Sequence, residues 1–495
     1  MDKQYADKLR EADRIVSEKG TKSSKLGYRL GYHISSPSNW INDPNGLIQF
    51  NGEYHVFYQH HPFSADWGPM YWGHVKSKDL VHWEQLPPAL APYEEYDRDG
   101  CFSGSAVNDN GMLTLIYTGN VWLDEEKKEL KQVQCLARSK DGITFIKEKE
   151  NPVLEEIPLE GSSHFRDPKV WREGTAWYMV LGSQKNGMGN VLLYKSHNLL
   201  EWEYCGVLAE NKGENLGYMW ECPDLFELHG KHILLISPEG MEQEGPLYAN
   251  LKQTGYFVGE FNEQTFSYTD GSFIELDKGH DFYAAQTFLD DSGRRILIGW
   301  MDMWEQDMPS KSDGWAGALT IPRVLSLSKE GRLLMNPVAE LESLRDFQTV
   351  SMQDTIIEDE ITIGFGEMAE IAAEFCIDDE ALESFGIKVR CGENEETVLK
   401  ADLNSLKLTL DRERSGKGGG GGLREAELTR SKTLSVHLFL DRSSIEVFIN
   451  GGETVMTSRI YPDKESRGIR LFAEGGKVNA RSVRVWDLKE GYIKR

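Results

Sequence analysis

The chain has 495 residues, enough for about three domains of ordinary size. It carries 55 Lys and Arg against 80 Asp and Glu, a formal net charge of −25 at pH 7, so its overall field repels nucleic acids and anionic membrane surfaces. No stretch approaches the roughly 18 apolar residues that a membrane-spanning helix needs. These properties exclude nucleic-acid and membrane roles and predict a globular protein.

The N-terminal segment, residues 1–29, is charged throughout and lacks the apolar core of a secretory signal, which predicts a cytoplasmic protein. Leu9, Ile15 and Val16 stand among these charges and predict a short helix packed on the rim of the next domain. Six cysteines are scattered along the chain without a CxxC pair. We therefore expect reduced thiols and no structural zinc.

A repeat of about sixty residues follows this segment. The sequence SKDLVHWE at 77–84 recurs loosely three times, at steps of 62, 57 and 65 residues. Each copy follows a strand-like run, such as EYHVFYQ at 53–59 or HILLISP at 232–238, and a fifth such run occupies 294–300. Five β units favour a closed ring, because closure protects the sheet edges. We predict a five-bladed β-propeller over residues 30–337, with a large irregular β-sandwich as the alternative.

The character of the sequence changes after Pro337. Segments such as SLKLTLDR at 405–412 and TLSVHLFLDRSSIEVFIN at 433–450 alternate apolar and polar residues, as half-solvated antiparallel strands do. We predict an all-β chain whose residues 338–495 form a β-sandwich. The glycine run from Gly418 to Gly422 does not satisfy the phosphate-loop pattern, and it predicts a flexible hairpin loop.

Three acidic residues lie in phase with the repeat. Asp43 stands in WINDPNG, Asp167 in FRDPKV and Glu221 in MWECPDLF. Together with Ser103 in FSGSA and Asp281 in DFYAAQ, they are separated by steps of 60, 64, 54 and 60 residues. In a propeller the first strand of each blade faces the central axis, so residues at the same phase converge there. We therefore expect Asp43, Asp167 and Glu221 to meet in one pocket.

Carboxylates that share a partly dry pocket cannot all keep ordinary pKa values. We expect Arg166 to keep Asp167 ionised. A pair of carboxyl groups with different protonation states is what glycoside hydrolysis requires. Asp43 and Asp167 could instead serve as turn residues beside proline. Glu221 is harder to explain in that way, because its apolar neighbours make an unused carboxylate costly.

These motifs carry a resemblance to a known family. WINDPNG at 40–46, Gln59, Trp67, FSGS, RDP, the Glu-Cys pair and LDRSSIEVF at 440–448 together resemble the β-fructofuranosidases, invertases and their relatives that form glycoside hydrolase family 32. The opening of the repeat is most similar to the bacterial sucrose-6-phosphate hydrolase branch. The resemblance implies a five-bladed propeller followed by a β-sandwich, in agreement with the repeat.

The resemblance also implies roles for individual residues. Asp43 would be the nucleophile, Glu221 an acid/base that is protonated in the resting enzyme, and Asp167 a stabiliser of the transition state. The implied reaction is hydrolysis of the β-fructofuranosyl bond of sucrose 6-phosphate or sucrose, with retained configuration and with no metal or cofactor. The residues expected to bind the sugar are Asn42, Gln59, Trp67, Phe102, Ser103, Arg166 and Trp300. In GWMDMW, Trp304 is a rival to Trp300 for its place, and Trp315 lies close by.

Several alternatives remain open at this point. An intracellular invertase or fructan hydrolase would act on unphosphorylated substrates, and no phosphate-binding residue can be assigned from the sequence. Transfer of fructose to another sugar and assembly into a homo-oligomer are also left open. A non-catalytic carbohydrate-binding protein would need no carboxylates in phase. A metal-dependent hydrolase is disfavoured because the histidines lack HExxH-like spacing.

Overall fold

The computed structural model describes residues 2–23, 27–269, 271–418 and 420–493, which are mostly β-strand. Helix α1 (Lys3–Ser23) comes first and contacts the first blade of a propeller. Its residues Tyr5 and Ala12 are buried against Tyr71 and Ala91. No helix in the described part of the chain is long and apolar enough to cross a membrane.

Five antiparallel sheets of about four strands each follow the helix, and each sheet is one blade. The first blade contains β1 (Asn39–Phe50), β2 (Glu53–His61), β3 (Tyr71–Ser77) and β4 (Trp83–Leu90). The second contains β5 (Gly100–Asp109), β6 (Met112–Trp122), β7 (Leu130–Ser139) and β8 (Ile146–Lys147). The third contains β9 (Phe165–Glu173), β10 (Ala176–Lys185), β11 (Met188–Ser196) and β12 (Glu203–Glu210).

The last two blades complete the ring. The fourth contains β13 (Met219–Leu228), β14 (Lys231–Glu239), β15 (Gly255–Asn262), β16 (Ser267–Thr269) and β17 (Ile274–Glu275). The fifth segment contains β18 (Tyr283–Leu289), β19 (Arg295–Trp300), a 3₁₀ helix (Pro309–Asp313), β20 (Trp315–Ala316), β21 (Arg323–Leu327) and β22 (Leu333–Pro337). Strand β20 pairs in parallel with β1, and the first strands of the fifth and first blades are in contact. The fifth segment is therefore joined to the first blade, which closes the ring.

The middle strands of the blades are buried on both faces, because neighbouring blades pack face to face. Strand β14, for example, buries six consecutive residues from Ile233 to Pro238. Such a strand reads as a continuous apolar run, and this is the pattern that the sequence repeat shows. The first strand of every blade pairs with one other strand of that blade and contacts the first strands of the neighbouring blades. These five strands, β1, β5, β9, β13 and β18, surround the central axis.

The C-terminal part of the chain forms two packed six-stranded sheets. A second 3₁₀ helix (Ala339–Leu344) precedes them. In the strand β27 (Glu396–Asp402), exposure alternates residue by residue, as the sequence predicts for strands with one solvated face. Strand β35 (Tyr492–Ile493) returns to pair with β4 of the first blade. The strands are β23 (Arg345–Ile357), β24 (Ile361–Phe365), β25 (Ala369–Cys376), β26 (Ser384–Cys391), β27 (Glu396–Asp402), β28 (Lys407–Arg414), β29 (Leu423–Glu427), β30 (Thr433–Asp441), β31 (Ser444–Ile449), β32 (Thr454–Arg459), β33 (Gly468–Glu474), β34 (Val478–Leu488) and β35 (Tyr492–Ile493).

The predicted fold class, a five-bladed β-propeller followed by a β-sandwich, is therefore confirmed. The segment limits expected from the sequence, at residues 29/30 and 337/338, stay predictions.

A chain of buried charges joins the propeller to the sandwich. The ring nitrogens Nδ1 and Nε2 of His33 lie 2.8 Å from carboxylate oxygens of Asp441 and Glu446. Since a carboxylate only accepts hydrogen bonds, both ring nitrogens must donate, so the ring is an imidazolium. Burial lowers the pKa of His33, but the two carboxylates outweigh that effect and raise it. Arg323 continues the chain, donating to Glu446 at 2.5 Å and to Asp277 at 2.9 Å, and all these side chains are fully buried.

Asp281, the fifth residue of the predicted series, belongs to this interface and not to the axial pocket. Its Oδ2 accepts a hydrogen bond from the backbone N–H of Arg459 at 2.7 Å and another from Arg412. Arg412 also donates to the carbonyl of Gly420 at 2.8 Å, so the glycine-rich loop lies against the same interface. Gly419, within that predicted loop, lies outside the described residues.

Candidate active site

Each of the five axial strands is interrupted by a β-bulge at its sequence motif. The irregularities lie between residues 41 and 44, 102 and 104, 166 and 169, 221 and 224, and 283 and 286. A bulge bends the strand and changes the direction in which its side chains point. Three of the bulges hold a non-glycine residue in the left-handed region, with φ of 64° at Asp167, 49° at Cys222 and 52° at Ala284. This conformation costs on the order of 1–3 kcal/mol, and such strain is concentrated at functional sites.

The bulges surround a cavity of about 440 Å³ at one end of the axis. The three predicted catalytic acids line it together. Of the seven predicted sugar-binding residues, six also line it, and only Trp300 does not. The sequence-predicted residues in the cavity wall are Asn42, Asp43, Gln59, Trp67, Phe102, Ser103, Arg166, Asp167 and Glu221.

Asp43 is held by hydrogen bonds to both of its oxygens. The Ser103 hydroxyl donates to Oδ2 at 2.6 Å, and the Asn42 amide donates to Oδ1 at 3.0 Å. The Trp40 indole donates to the Asn42 amide oxygen at 2.7 Å, which leaves the amide N–H₂ facing Asp43. Burial and then the charge of Glu221 raise the pKa of Asp43, while its two donors oppose that rise. The carboxylate is therefore oriented and only partly stabilised.

Asp167 lies beside Asp43, and the thiol of Cys222 is close to both. The sulfur is 3.7 Å from Asp167 Oδ2 and 3.8 Å from Asp43 Oδ2. The backbone N–H of Cys222 donates to Asp167 at 2.9 Å. Burial raises the pKa of Asp167 to about 7, although the charge of Arg166 lowers it. The sequence predicts that Arg166 keeps Asp167 ionised, but its Nε is 4.0 Å from that carboxylate and the guanidinium hydrogen-bonds another acid.

That other acid is Glu221, which accepts four hydrogen bonds. Arg166 donates to Oε1 from Nε at 3.0 Å and from Nη2 at 2.8 Å. Lys252 donates to Oε2 at 3.3 Å, and the Tyr283 hydroxyl donates to the same oxygen. Burial raises the pKa of Glu221, but the charges of Lys252 and Arg166 outweigh it and lower the pKa below its ordinary value. These groups favour the ionised form of Glu221, whereas the resemblance implies an acid that is protonated in the resting enzyme.

Trp300 requires a correction, because its side chain is fully buried and lies behind the cavity wall. It packs against Trp40 and Trp304, with ring centroids 5.8 and 5.1 Å away. Trp304 takes the place at the cavity. Trp300 is the last residue of β19, a strand buried between two others, whereas Trp304 follows on the connection to the next element and is free to reach the opening.

Comparison with known proteins agrees with this geometry. Residues 33–337 match the glycosyl hydrolases family 32 N-terminal domain, and residues 340–487 match the family's C-terminal domain. The chain belongs to glycosyl hydrolase family 32.

Within family 32, similar proteins cover nearly the whole chain. A sucrose-6-phosphate hydrolase of Escherichia coli is 47% identical over 92% of this chain and 94% of its own length. A raffinose invertase of Escherichia coli is 43% identical over 94% of this chain and 97% of its own length. The structure of a Bombyx mori GH32 β-fructofuranosidase in complex with sucrose superimposes with a TM-score of 0.86 at 39% identity, covering 98% of this chain and 99% of that one.

Among the residues that the sequence did not assign to the site, Lys252, Glu239 and Trp304 line this family 32 cavity and Tyr283 contacts Glu221. In the sequence, Trp304 is only a rival to Trp300. Lys252 and Glu239 come from the fourth blade, and Trp304 from the segment after β19. Tyr283 belongs to DFYAAQ, a motif that the repeat did select, although Asp281 was taken as its marker. Tyr283 lies at the bulge of β18, so counting from the bulge instead of from the acid would have found it. Glu239 and Lys252 carry no comparable signal, because they come from the second strand of a blade and the segment after it.

We expect Ser103→Ala to move the acid limb of the pH profile of kcat/KM to higher pH. The Ser103 hydroxyl stabilises the ionised form of Asp43, so its loss raises the pKa of that carboxyl further. A hydrogen bond to a charged group contributes about 1.5–3 kcal/mol, which corresponds to a shift of about 1–2 pH units. Cys222→Ala is the comparison, because its thiol is a weak donor at 3.8 Å and should produce a smaller shift. An unchanged acid limb in Ser103→Ala would contradict this assignment.

Proposed function

We propose that this chain is a retaining β-fructofuranosidase in which Asp43 is the nucleophile, Glu221 the acid/base and Asp167 the transition-state stabiliser. The observation that carries the proposal is that these three acids, from three blades, line one cavity together. Asp43 and Glu221 have different surroundings in this cavity. Asp43 is held only by neutral donors, whereas Glu221 is held by two cations and a phenol.

In the first half of the reaction, Asp43 Oδ attacks C2 of the fructosyl unit. The bond from C2 to the glycosidic oxygen breaks as the new ester bond forms. The bonding electrons pass to the leaving oxygen, which takes a proton from Glu221 and departs as the hydroxyl of the other sugar. Asp43 is suited to this step because Ser103 and Asn42 hold both of its oxygens in one orientation.

In the second half, a water molecule attacks C2 while Glu221 accepts one of its protons. The ester bond to Asp43 breaks, and fructose leaves with the configuration that it had in the substrate, because C2 has been inverted twice. In both halves positive charge develops at C2 and the ring oxygen. Asp167, fixed by the backbone N–H of Cys222, offers a carboxylate close to that charge.

The substrate is a small sugar, and we propose sucrose 6-phosphate. The support comes from the Escherichia coli relative of that name, whose match extends over nearly the full length of both chains. A phosphorylated sugar is retained inside the cell, so an enzyme that acts on this substrate is expected in the cytoplasm.

We also consider unphosphorylated sucrose, which one feature of the cavity favours. The two cations of the cavity wall, Arg166 and Lys252, both contact carboxylates already. A phosphate group would have to compete with Glu221 or Glu239 for them. A neutral sugar would leave these ion pairs intact.

Comparing kcat/KM for the two substrates decides between them. If sucrose 6-phosphate is the substrate, we expect its kcat/KM to exceed that of sucrose at least about tenfold, since one charged hydrogen bond contributes about 1.5–3 kcal/mol. Equal values would favour sucrose as the substrate. The absence of any fructose release from either compound would contradict the proposed activity itself.

A further inference from the structure

Glu239 is an acidic residue of the cavity to which the mechanism has given no role. It is the last residue of β14, and it pairs with Met219, two residues before Glu221 on β13. Its side chain is only 15% exposed. The Tyr218 hydroxyl donates to Oε2 at 2.7 Å, which fixes one side of the carboxyl group.

Glu239 shares both of its cations with Glu221. Nη2 of Arg166 lies 2.8 Å from Glu221 Oε1 and 3.2 Å from Glu239 Oε1. Nζ of Lys252 lies 3.3 Å from Glu221 Oε2 and 3.2 Å from Glu239 Oε1. Burial and the charge of Glu221 also raise the pKa of Glu239. Two carboxyl groups beside the same cations therefore resist being ionised together.

The shared cations affect the ability of Glu221 to act as an acid. Glu221 must give a proton to the leaving oxygen, yet Arg166 and Lys252 both favour its ionised form. A second carboxylate beside the same cations reduces their effect on Glu221. Two acids that contact the same cations in a buried cluster can hold one proton between them and titrate as a pair.

We propose that Glu239 is a positioning residue that shares the catalytic proton with Glu221, so that the pair and not Glu221 alone is the acid of the reaction. The proposal rests on the proposed function, in which Glu221 is the acid/base. In the empty site the proton resides on Glu239, because Arg166, Lys252 and Tyr283 donate to both oxygens of Glu221.

The proton moves in a balanced sequence. When the leaving oxygen approaches, Glu239 passes its proton to Glu221 and becomes a carboxylate held by Lys252, Arg166 and Tyr218. Glu221 passes its own proton to the glycosidic oxygen as the bond to C2 breaks. In the second half, Glu221 accepts a proton from the attacking water, and return of that proton to Glu239 restores the starting state.

The groups that face this pair come from several blades. The charged and titratable neighbours of Glu221 and Glu239 determine how the pair titrates. Each of these neighbours either contacts one of the two acids or acts on it through its charge. These groups are Arg166, Lys252, Tyr218, Tyr283, Asp43, Asp167, Cys222 and His164.

The test is the pH profile of kcat/KM in the full-length chain. With Glu239→Gln, both cations act on Glu221 alone, so we expect the alkaline limb to move at least about one unit to lower pH. Activity above that limb should fall at least about tenfold. Glu242→Gln is the matched control, because it removes the same charge from the exposed connection after β14. An alkaline limb that Glu239→Gln leaves unmoved overturns the inference.

A second variant has the opposite expected sign. Lys252→Met removes a cation from the pair, so the alkaline limb should move to higher pH. A limb that stays in place or moves to lower pH overturns the inference even if Glu239→Gln does not fold. Glu221→Gln separates the two proposals. If it abolishes hydrolysis while Glu239→Gln keeps the wild-type profile, only the shared proton is wrong. If Glu221→Gln hydrolyses sucrose normally, the proposed function is wrong.

Discussion

Replacing Asp43 by Asn is expected to lower kcat at least about 10⁴-fold, because removal of a nucleophile eliminates the covalent route. The substitution keeps the size of the side chain and its place in the bulge of β1. Ser103 and Asn42 can still contact it, so the fold and sugar binding should persist. Initial rates of fructose release, with circular dichroism to check folding, provide the measurement. Asp291→Asn is the control, because that carboxyl group is exposed on a loop of the fifth blade.

The companion variant Glu221→Gln isolates the acid/base role. Loss of general acid–base catalysis costs about 10²–10⁴-fold. Azide needs no general base to attack C2, so it should restore turnover of an activated fructoside in Glu221→Gln and give a fructosyl azide of retained configuration. It should not do so in Asp43→Asn. Near-wild-type activity in either variant, or a product of inverted configuration, would contradict the assignment of these two residues.

Replacing Arg323 by Met is expected to destabilise the folded chain by about 3–5 kcal/mol. The substitution leaves Glu446 and Asp277 fully buried without the cation that joins them. Removal of one partner from a buried ion pair has an energetic cost of this size because the remaining charge stays buried and unsolvated. The free energy of unfolding, measured by urea titration at neutral pH, is the observable.

Lys231→Met is the matched control for Arg323→Met. Lys231 pairs with Glu260 on the surface, where the two side chains are 49% and 71% exposed. Its loss should cost less than about 1 kcal/mol, because water and salt screen such a pair. Equal effects of the two substitutions would show that the buried charges do not hold the propeller to the sandwich.

The same interface shows what a motif can and cannot reveal. LDRSSIEVF stands out in the sequence and contributes to the resemblance to family 32, but nothing in its letters says what it contacts. In the structure its Asp441 and Glu446 hold His33, and Glu446 also holds Arg323. These partners lie more than a hundred residues away in the chain, so only the packing of the two domains reveals them.

The sequence by itself determined the repeat, the closed ring of β units and the three acids in phase with it. It could do so because blade strands buried on both faces are continuously apolar, and because the axial strands bear their motifs at one phase of the repeat. Only the tertiary structure decided how the charges within the cavity are distributed. Arg166 contacts Glu221 and Glu239, Trp304 replaces Trp300 at the cavity, and Lys252 reaches Glu221 from the segment after β14. The direction of a side chain at a bulge depends on the local backbone geometry, and an ion pair between two blades depends on how the blades pack. Neither feature repeats along the chain, so the sequence pattern cannot show it.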